Sequence, residues 1–146
     1  MNRLRLIAAV SGIYDALVGA LMLLGRPLLV RLFAVPAPQP PIHADLNGIF
    51  LLAVAAGYLI PFRDPDRGRG YLWVMGPLLK GGGAVAFVLD YIIRHSPRSF
   101  LLFAASDGTL ALITLWALVS TRRPKGLHYD RKRAIRLRDD DRSTDL

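Results

Sequence analysis

Residues 4–24 read LRLIAAVSGIYDALVGALMLL, and the sequence Gly25-Arg26-Pro27 that follows them is typical of the end of a helix. A helix rises about 1.5 Å per residue, so it needs about 20 mostly apolar residues to cross the hydrocarbon of a bilayer. We therefore predict a transmembrane helix here. The basic start resembles that of a signal peptide, but the apolar region is too long for one, it contains Asp15, and no small-residue cleavage site follows promptly.

Three further stretches have the same character. We predict spans at about residues 44–62, 71–93 and 99–120, in addition to the span at 4–24. Turn and charge signals separate them, namely PAPQPP before the second span, RDPDRGRG before the third and RHSPRS before the fourth. The predicted fold is therefore an all-α, integral membrane four-helix bundle that occupies residues 1–120.

Two segments lie outside these spans. Residues 28–35 are apolar but too short to cross a bilayer, and Arg31 interrupts them, so we predict an interfacial helix. Residues 121–146 form a tail that is basic and then acidic, which is typical either of a stop-transfer signal or of a segment that lies on anionic lipid. Because no folded nucleic-acid-binding module accompanies this Arg-rich tail, we expect no nucleic-acid partner.

The basic residues predict the orientation of the bundle. The amino terminus, the loop between the second and third spans and the tail carry fourteen of the nineteen Lys and Arg, whereas the other two loops carry four. Positive charge stays on the cytoplasmic side of a membrane, so we expect both termini in the cytoplasm. All eleven acidic residues are Asp, and Arg, Ala, Gly and Pro are abundant, which is typical of GC-rich genomes. We therefore expect a multi-pass protein of the inner (plasma) membrane of a bacterium.

Three ionisable residues fall deep within the predicted spans. Asp15 lies in the first, Lys80 in the third and Asp107 in the fourth, each about 13–20 Å from the cytoplasmic surface. An unpaired charge at that depth costs about 2.5–3.5 kcal/mol on insertion scales. We therefore predict that Lys80 bridges the two acids inside the bundle. Tyr14 and Asn47 complete the predicted polar cluster or ligand site.

This cluster has two interpretations, which the sequence leaves open. It could fix the register of the helices as an interhelical ion pair, or it could work chemically, as a proton-carrying carboxylate or a site for a polar or cationic head group. Two acids and one base leave either a surplus negative charge or a carboxyl that stays protonated.

His43 and His95 are predicted on the outer side, where such residues are more often interfacial polar groups than metal ligands, so we expect no metal.

The first and third spans also carry packing signals. Pro77 and the glycines at 81–83 predict a bend near the middle of the third span, because proline removes a backbone donor and glycine weakens a helix. The first span offers a ridge of small residues that would allow a close approach of another helix: Ala8, Gly12, Ala16 and Ala20.

The sequence also resembles a known family. GIYDALVGALMLL at 12–24, NGIFLLAVAAGYLIPFRDPDR at 47–67 and the lone lysine in GPLLKGGG at 76–83 are similar to the DoxX-like family of small four-span bacterial membrane proteins. The resemblance covers most of residues 4–120. It implies a four-helix bundle with a lipophilic ligand cavity, and an accessory or quinone-linked role in a membrane redox system. The redox cysteines of some members are absent here, which argues against redox chemistry by this chain itself.

Three functions follow from these observations. The first is a non-enzymatic accessory or assembly subunit, with quinone or lipid as its candidate ligand and a membrane protein or a second copy as its partner. No catalytic triad, P-loop or Gly-rich cofactor motif appears in the sequence, and the absence of cysteine excludes thiolate sites. The second is an oligomeric small-molecule or proton-coupled transporter that uses the bent third span. The third is a membrane enzyme that uses Asp15 and Asp107 on a lipophilic substrate, although Lys80 would neutralise that pair.

Overall fold

The fold is known from a computed structural model that describes residues 2–34 and 36–121, and these residues form helices and connecting segments without a strand. Four helices are long and apolar enough to cross a membrane, and we keep the names first to fourth span for them: Arg3–Leu24, Ile42–Arg63, Arg69–Arg94 and Phe100–Ser120. The prediction of an all-α bundle with four membrane-spanning helices is confirmed. The cytoplasmic placement of the termini stays a prediction, and residues 122–146 of the predicted tail lie outside the described residues.

Two of the spans are composite. The second consists of Ile42–Gly57 and Leu59–Arg63, and the third consists of Arg69–Trp73, a π-helical segment at Val74–Lys80 and an α-helix at Gly81–Arg94. Pro77 lies inside the π-helical segment. Proline has no N–H and its ring crowds the carbonyl four residues earlier, and a local widening of the helix relieves this crowding. The third span therefore accommodates Pro77 by a π-helical segment, while the glycines after it form regular α-helix.

The bundle is built from two closely packed helix pairs. In the first pair, a Cβ added to Gly19 of the first span would lie 2.9 Å from the carbonyl oxygen of Gly48 in the second. In the second pair, Gly81 of the third span lies close to Ala111 of the fourth, at 3.6 Å from an added Cβ. Glycines thus let the helices approach closely where no hydrophobic drive would pull them together.

The predicted ridge on the first span accounts for only part of this packing. Ala8 is fully buried and Gly12 contacts Tyr58 of the second span, but the closest approach is made by Gly19, which lies off the ridge. Positions four apart advance about 40° beyond a full helical turn, so a ridge spaced by four drifts around the helix. The contact with a neighbouring helix therefore passes from the ridge to Gly19.

An apolar core fills one half of the bundle, near residues 3 and 120. All four spans contribute to it, through Leu4, Ile7, Ala8, Val54, Tyr58, Leu72, Ala117 and Leu118. Two arginines close this end. Arg5 donates to the carbonyl oxygen of Arg63 at 3.3 Å, and Arg69 donates to that of Thr121 at 2.7 Å. Both cations therefore lie at helix C-termini, where the last carbonyls lack helical partners and the helix dipole favours positive charge.

A short helix, Arg26–Phe33, covers part of the opposite end. It begins two residues before the predicted interfacial helix. Its Phe33 ring stacks on Phe103 of the fourth span, with 4.9 Å between ring centroids, and Phe103 stacks on Phe87 of the third span at 5.7 Å. Arg26 forms an ion pair with Asp45 of the second span. The short helix is thus fastened at both ends to the surface of the bundle, and its placement at a membrane interface stays a prediction.

Candidate functional site

The candidate site is an ion-pair cluster formed by Asp15, Lys80 and Asp107, which we call the Asp-Lys-Asp cluster. The Lys80 Nζ lies 2.5 Å from Asp15 Oδ1 and 3.4 Å from Asp107 Oδ1. The Lys80 side chain is only 5% exposed. Lys80 thus contacts both carboxylates, as the depth of the three residues in their spans predicts, and it joins the first, third and fourth spans.

The π-helical segment positions Lys80, which is its last residue. Leu72, Gly76, Lys80 and Ala84 are all buried and are spaced by four along the third span. In an α-helix such a row would drift steadily around the axis, because four residues exceed one turn. A π-helical turn holds more residues, so four of them fall short of a turn and the drift is reversed. The segment therefore keeps Lys80 on the face that meets the fourth span.

Tyr14 lies in the cluster, as predicted, and its hydroxyl bonds to a residue that the prediction did not include. The Tyr14 ring faces Lys80, with Nζ 4.7 Å from the ring centroid, a distance typical of a cation–π contact. The Tyr14 hydroxyl forms a 2.8 Å hydrogen bond with Ser106 Oγ, and either atom could be the donor. Ser106 was not predicted. Its only signal in the sequence is that it precedes Asp107.

The two carboxylates differ in burial. The side chain of Asp15 is 2% exposed and that of Asp107 is 20% exposed. Three buried polar atoms near Asp15 have no hydrogen-bond partner among the described residues, namely Asp15 Oδ2, Ser11 Oγ and the Tyr58 hydroxyl. Sequence reasoning missed Ser11, although it lies one turn before Asp15 on the same helix face. The cluster is therefore sealed on the Asp15 side and partly open at Asp107.

The structure does not place Asn47 in the cluster, and this part of the prediction is wrong. Asn47 is exposed on the second span, whereas the next residue, Gly48, is buried against Gly19. Neighbouring residues on an α-helix point about 100° apart, so a buried Gly48 turns Asn47 away from the bundle. His43 and His95 are also exposed. Within residues 2–34 and 36–121, no group of three or more His, Cys, Asp or Glu could hold a metal ion.

Two hollows on the surface are lined by residues outside the cluster. One lies beside Tyr91, His95 and Arg98, and the other is an apolar groove between the first and second spans. Each has a volume of about 440 Å³. Neither hollow includes Asp15, Lys80 or Asp107 in its lining, so neither offers a route by which a ligand in it would touch the charged groups.

Four apolar helices of this length fit a small, multi-pass integral membrane protein. Comparison with known proteins does not narrow this classification, because no family model, curated protein or solved structure matches the chain.

Proposed function

We propose that this chain is a non-enzymatic accessory or assembly subunit of a membrane complex. The observation that carries the proposal is the buried position of Lys80 between Asp15 and Asp107. Lys80 lies between the two acids inside the bundle, and neither of the two surface hollows described above reaches them. An enzyme that used the two acids would need them free of the ammonium group, and a transporter would need a path that reaches them.

The cluster would serve this role by fixing the arrangement of three spans. In lipid, helices associate through close packing and polar contacts because the surroundings are as apolar as the side chains. Separating the spans would leave a charge unpaired in the hydrocarbon, at a cost of about 2.5–3.5 kcal/mol on insertion scales. The ion pairs therefore favour one register of the first, third and fourth spans. A bundle held in one register presents a constant surface to a partner protein.

We extend the proposal to membership of the DoxX-like family and to a quinone-linked redox complex in the inner membrane of a bacterium. The support is the resemblance over residues 12–24, 47–67 and 76–83, together with the distribution of basic residues. A quinone or another lipid is the expected ligand, and a membrane protein or a second copy is the expected partner.

The proposal is tested by isolating the tagged chain from the membranes of its source organism in a polymer that keeps the native lipid. We expect a membrane protein to accompany the chain in fixed stoichiometry, and organic extraction followed by mass spectrometry to identify any bound lipophile. The same isolation is repeated with Asp107→Asn, and with Asp66→Asn as a control for the same chemical change at an exposed position. Both variants should retain the partner.

Two results would contradict an accessory role. One is a chain that is isolated from native membranes as a monomer without a partner. The other is an Asp107→Asn variant that keeps its fold and its partner while the process it supports is lost, because that combination indicates chemistry at the carboxyl. A loss of the fold in Asp15→Asn would, by contrast, agree with a structural cluster.

A further inference from the structure

The Asp-Lys-Asp cluster contains one acid more than it has bases. Lys80 is the only described cation that pairs with Asp15 or Asp107, so with all three groups ionised the cluster carries one net negative charge. Asp15 Oδ2 is buried and has no donor among the described residues. The cluster is therefore short of one positive charge and of one hydrogen-bond donor, in a region of the membrane that cannot solvate either deficit.

A bound proton would supply the missing charge, and the contacts of Lys80 indicate which carboxyl holds it. Lys80 Nζ is 2.5 Å from Asp15 Oδ1 but 3.4 Å from Asp107 Oδ1. Lys80 is thus in close contact with Asp15, whereas its distance to Asp107 is beyond the usual length of a charge-assisted hydrogen bond, about 2.7–2.9 Å. Asp15 is thus the ionised partner of Lys80, and the interaction of Lys80 with Asp107 is the weaker of the two.

Asp107 is also the acid that is more accessible from outside the bundle. Its side chain is 20% exposed, compared with 2% for Asp15. The glycines of the third span leave space beside it. A Cβ added to Gly83 would meet only Asp107 Oδ2, at 3.9 Å, and a Cβ added to Gly82 would meet nothing within 4 Å. The missing side chain at Gly83 therefore leaves a gap in front of the outer oxygen of Asp107.

We propose that the Asp-Lys-Asp cluster binds one exchangeable proton, that Asp107 holds it, and that the gap beside Gly83 exposes this carboxyl to the membrane interior. The inference goes beyond the accessory role and does not depend on it. Loss of the proton would make Asp107 a second anion and draw Lys80 away from Asp15. The proton thus sets how firmly the first span is held to the third.

The groups that face Asp107 come from every packed element around it. Lys80 is contributed by the third span, and Asp15 and Tyr14 by the first. On its own span, Ser106 is neutral and is bonded to Tyr14. Tyr58 of the second span lies beyond Asp15. Lys80 and Asp15 carry opposite charges in close contact, so they form a neutral pair and the proton on Asp107 neutralises the remainder.

The test uses the full chain in phosphatidylcholine vesicles and the lipid-soluble reagent dicyclohexylcarbodiimide. The reagent adds to a carboxylic acid: the acid proton passes to one nitrogen, the carboxyl oxygen bonds to the central carbon, and an oxygen-to-nitrogen acyl shift gives a stable N-acylurea. Peptide mass spectrometry should locate one adduct at Asp107 and none at Asp15. Labelling should fall along a one-proton curve as the pH rises, and it should be absent in Asp107→Asn.

Gly83→Leu and Gly82→Leu form a matched pair, since both replace a glycine of the same helix by the same side chain. Gly83→Leu fills the gap and should reduce labelling to the background of Asp107→Asn, whereas Gly82→Leu should leave it unchanged. The proposal would be overturned if no adduct formed at Asp107 or if one formed at Asp15. It would also be overturned if labelling did not change with pH, or if the two glycine variants were labelled equally. Protection by Na⁺ at constant pH would also overturn it, because a metal cation would then supply the missing charge.

A second measurement does not depend on how the glycine variants fold. Infrared spectroscopy of the wild-type chain should show the C=O stretch of a protonated carboxyl, which disappears as the pH rises and is missing from Asp107→Asn. A band that persists unchanged in Asp107→Asn, or no such band in the wild-type chain at any pH, would overturn the assignment of the proton to Asp107.

Discussion

Gly76 of the third span lies so close to Thr114 of the fourth that a Cβ added to Gly76 would come within 2.5 Å of Thr114 Cγ2. Thr114 is buried, and its Oγ1 donates a 2.6 Å hydrogen bond to the carbonyl oxygen of Leu110. It could rotate away only by giving up that bond. Gly76 is one turn before Lys80 in the π-helical segment. This contact therefore sets the spacing of the third and fourth spans next to the cluster.

We expect Gly76→Ala to lower the free energy of unfolding by about 1–3 kcal/mol, the usual cost of overpacking a well-packed contact. Adding Thr114→Ala should restore part of the loss, because it removes Cγ2, the nearest atom, but leaves the Thr114 Cβ, which the new Cβ would meet at 2.9 Å. Thermal unfolding in detergent measures both effects. Gly70→Ala is the control, since a Cβ there meets nothing within 4 Å. Equal destabilisation by the alanines at 76 and 70 would show that the effect comes from the glycine backbone and not from the contact.

The two acids of the cluster should differ in their contribution to stability. Asp15→Asn leaves the buried Lys80 without its closest partner, and we expect a loss of about 3 kcal/mol, the lower end of the cost of breaking a buried ion pair. Asp107→Asn replaces a more exposed and more distant group, and we expect about 1 kcal/mol or less. Unfolding of both variants under the same detergent conditions measures the difference. A larger loss for Asp107→Asn would contradict the assignment of Asp15 as the main partner of Lys80.

The sequence predicts the spans and the cluster for physical reasons that need no neighbouring helix. Long apolar stretches can be counted against the thickness of a bilayer, and counting along Arg3–Leu24 places Asp15 near its middle. The high cost of a lone charge at that depth then makes pairing with Lys80 the expected outcome. Depth and cost are both properties of one helix and its solvent.

The direction in which a residue faces is not such a property, and there the sequence falls short. The prediction places Asn47 wrongly because the direction of its side chain depends on Gly48, which packs on the first span. The π-helical segment rotates Lys80 by an amount that Pro77 alone does not specify. Tyr58 approaches Asp15 only after the first and second spans are packed together. Each of these features is decided by contacts between helices.

The orientation of the bundle can be tested with single cysteines, because the chain has none of its own. Gln39 lies between the first two spans and Asp66 between the second and third, and both are exposed. In intact cells we expect Gln39→Cys to react with a membrane-impermeant maleimide and Asp66→Cys to react only after permeabilisation, since basic residues stay in the cytoplasm. The reverse pattern would place the termini outside, and reaction at both positions would indicate mixed orientation.

The Phe33 end of the short helix Arg26–Phe33 should depend on an aromatic contact with the fourth span. Phe33 stacks on Phe103 of the fourth span, whereas the neighbouring Leu32 is exposed. An aromatic pair contributes about 0.5–1.5 kcal/mol beyond the area it buries, so Phe33→Ala should raise the exchange rate of the amide hydrogens of this helix about two- to tenfold. Leu32→Ala removes a side chain of similar size from the same helix and should leave the exchange rate nearly unchanged. Hydrogen exchange read by mass spectrometry on the reconstituted chain compares the two. If both variants exchange alike, the helix is held by something other than the stack, and the Arg26–Asp45 ion pair becomes the contact to remove next.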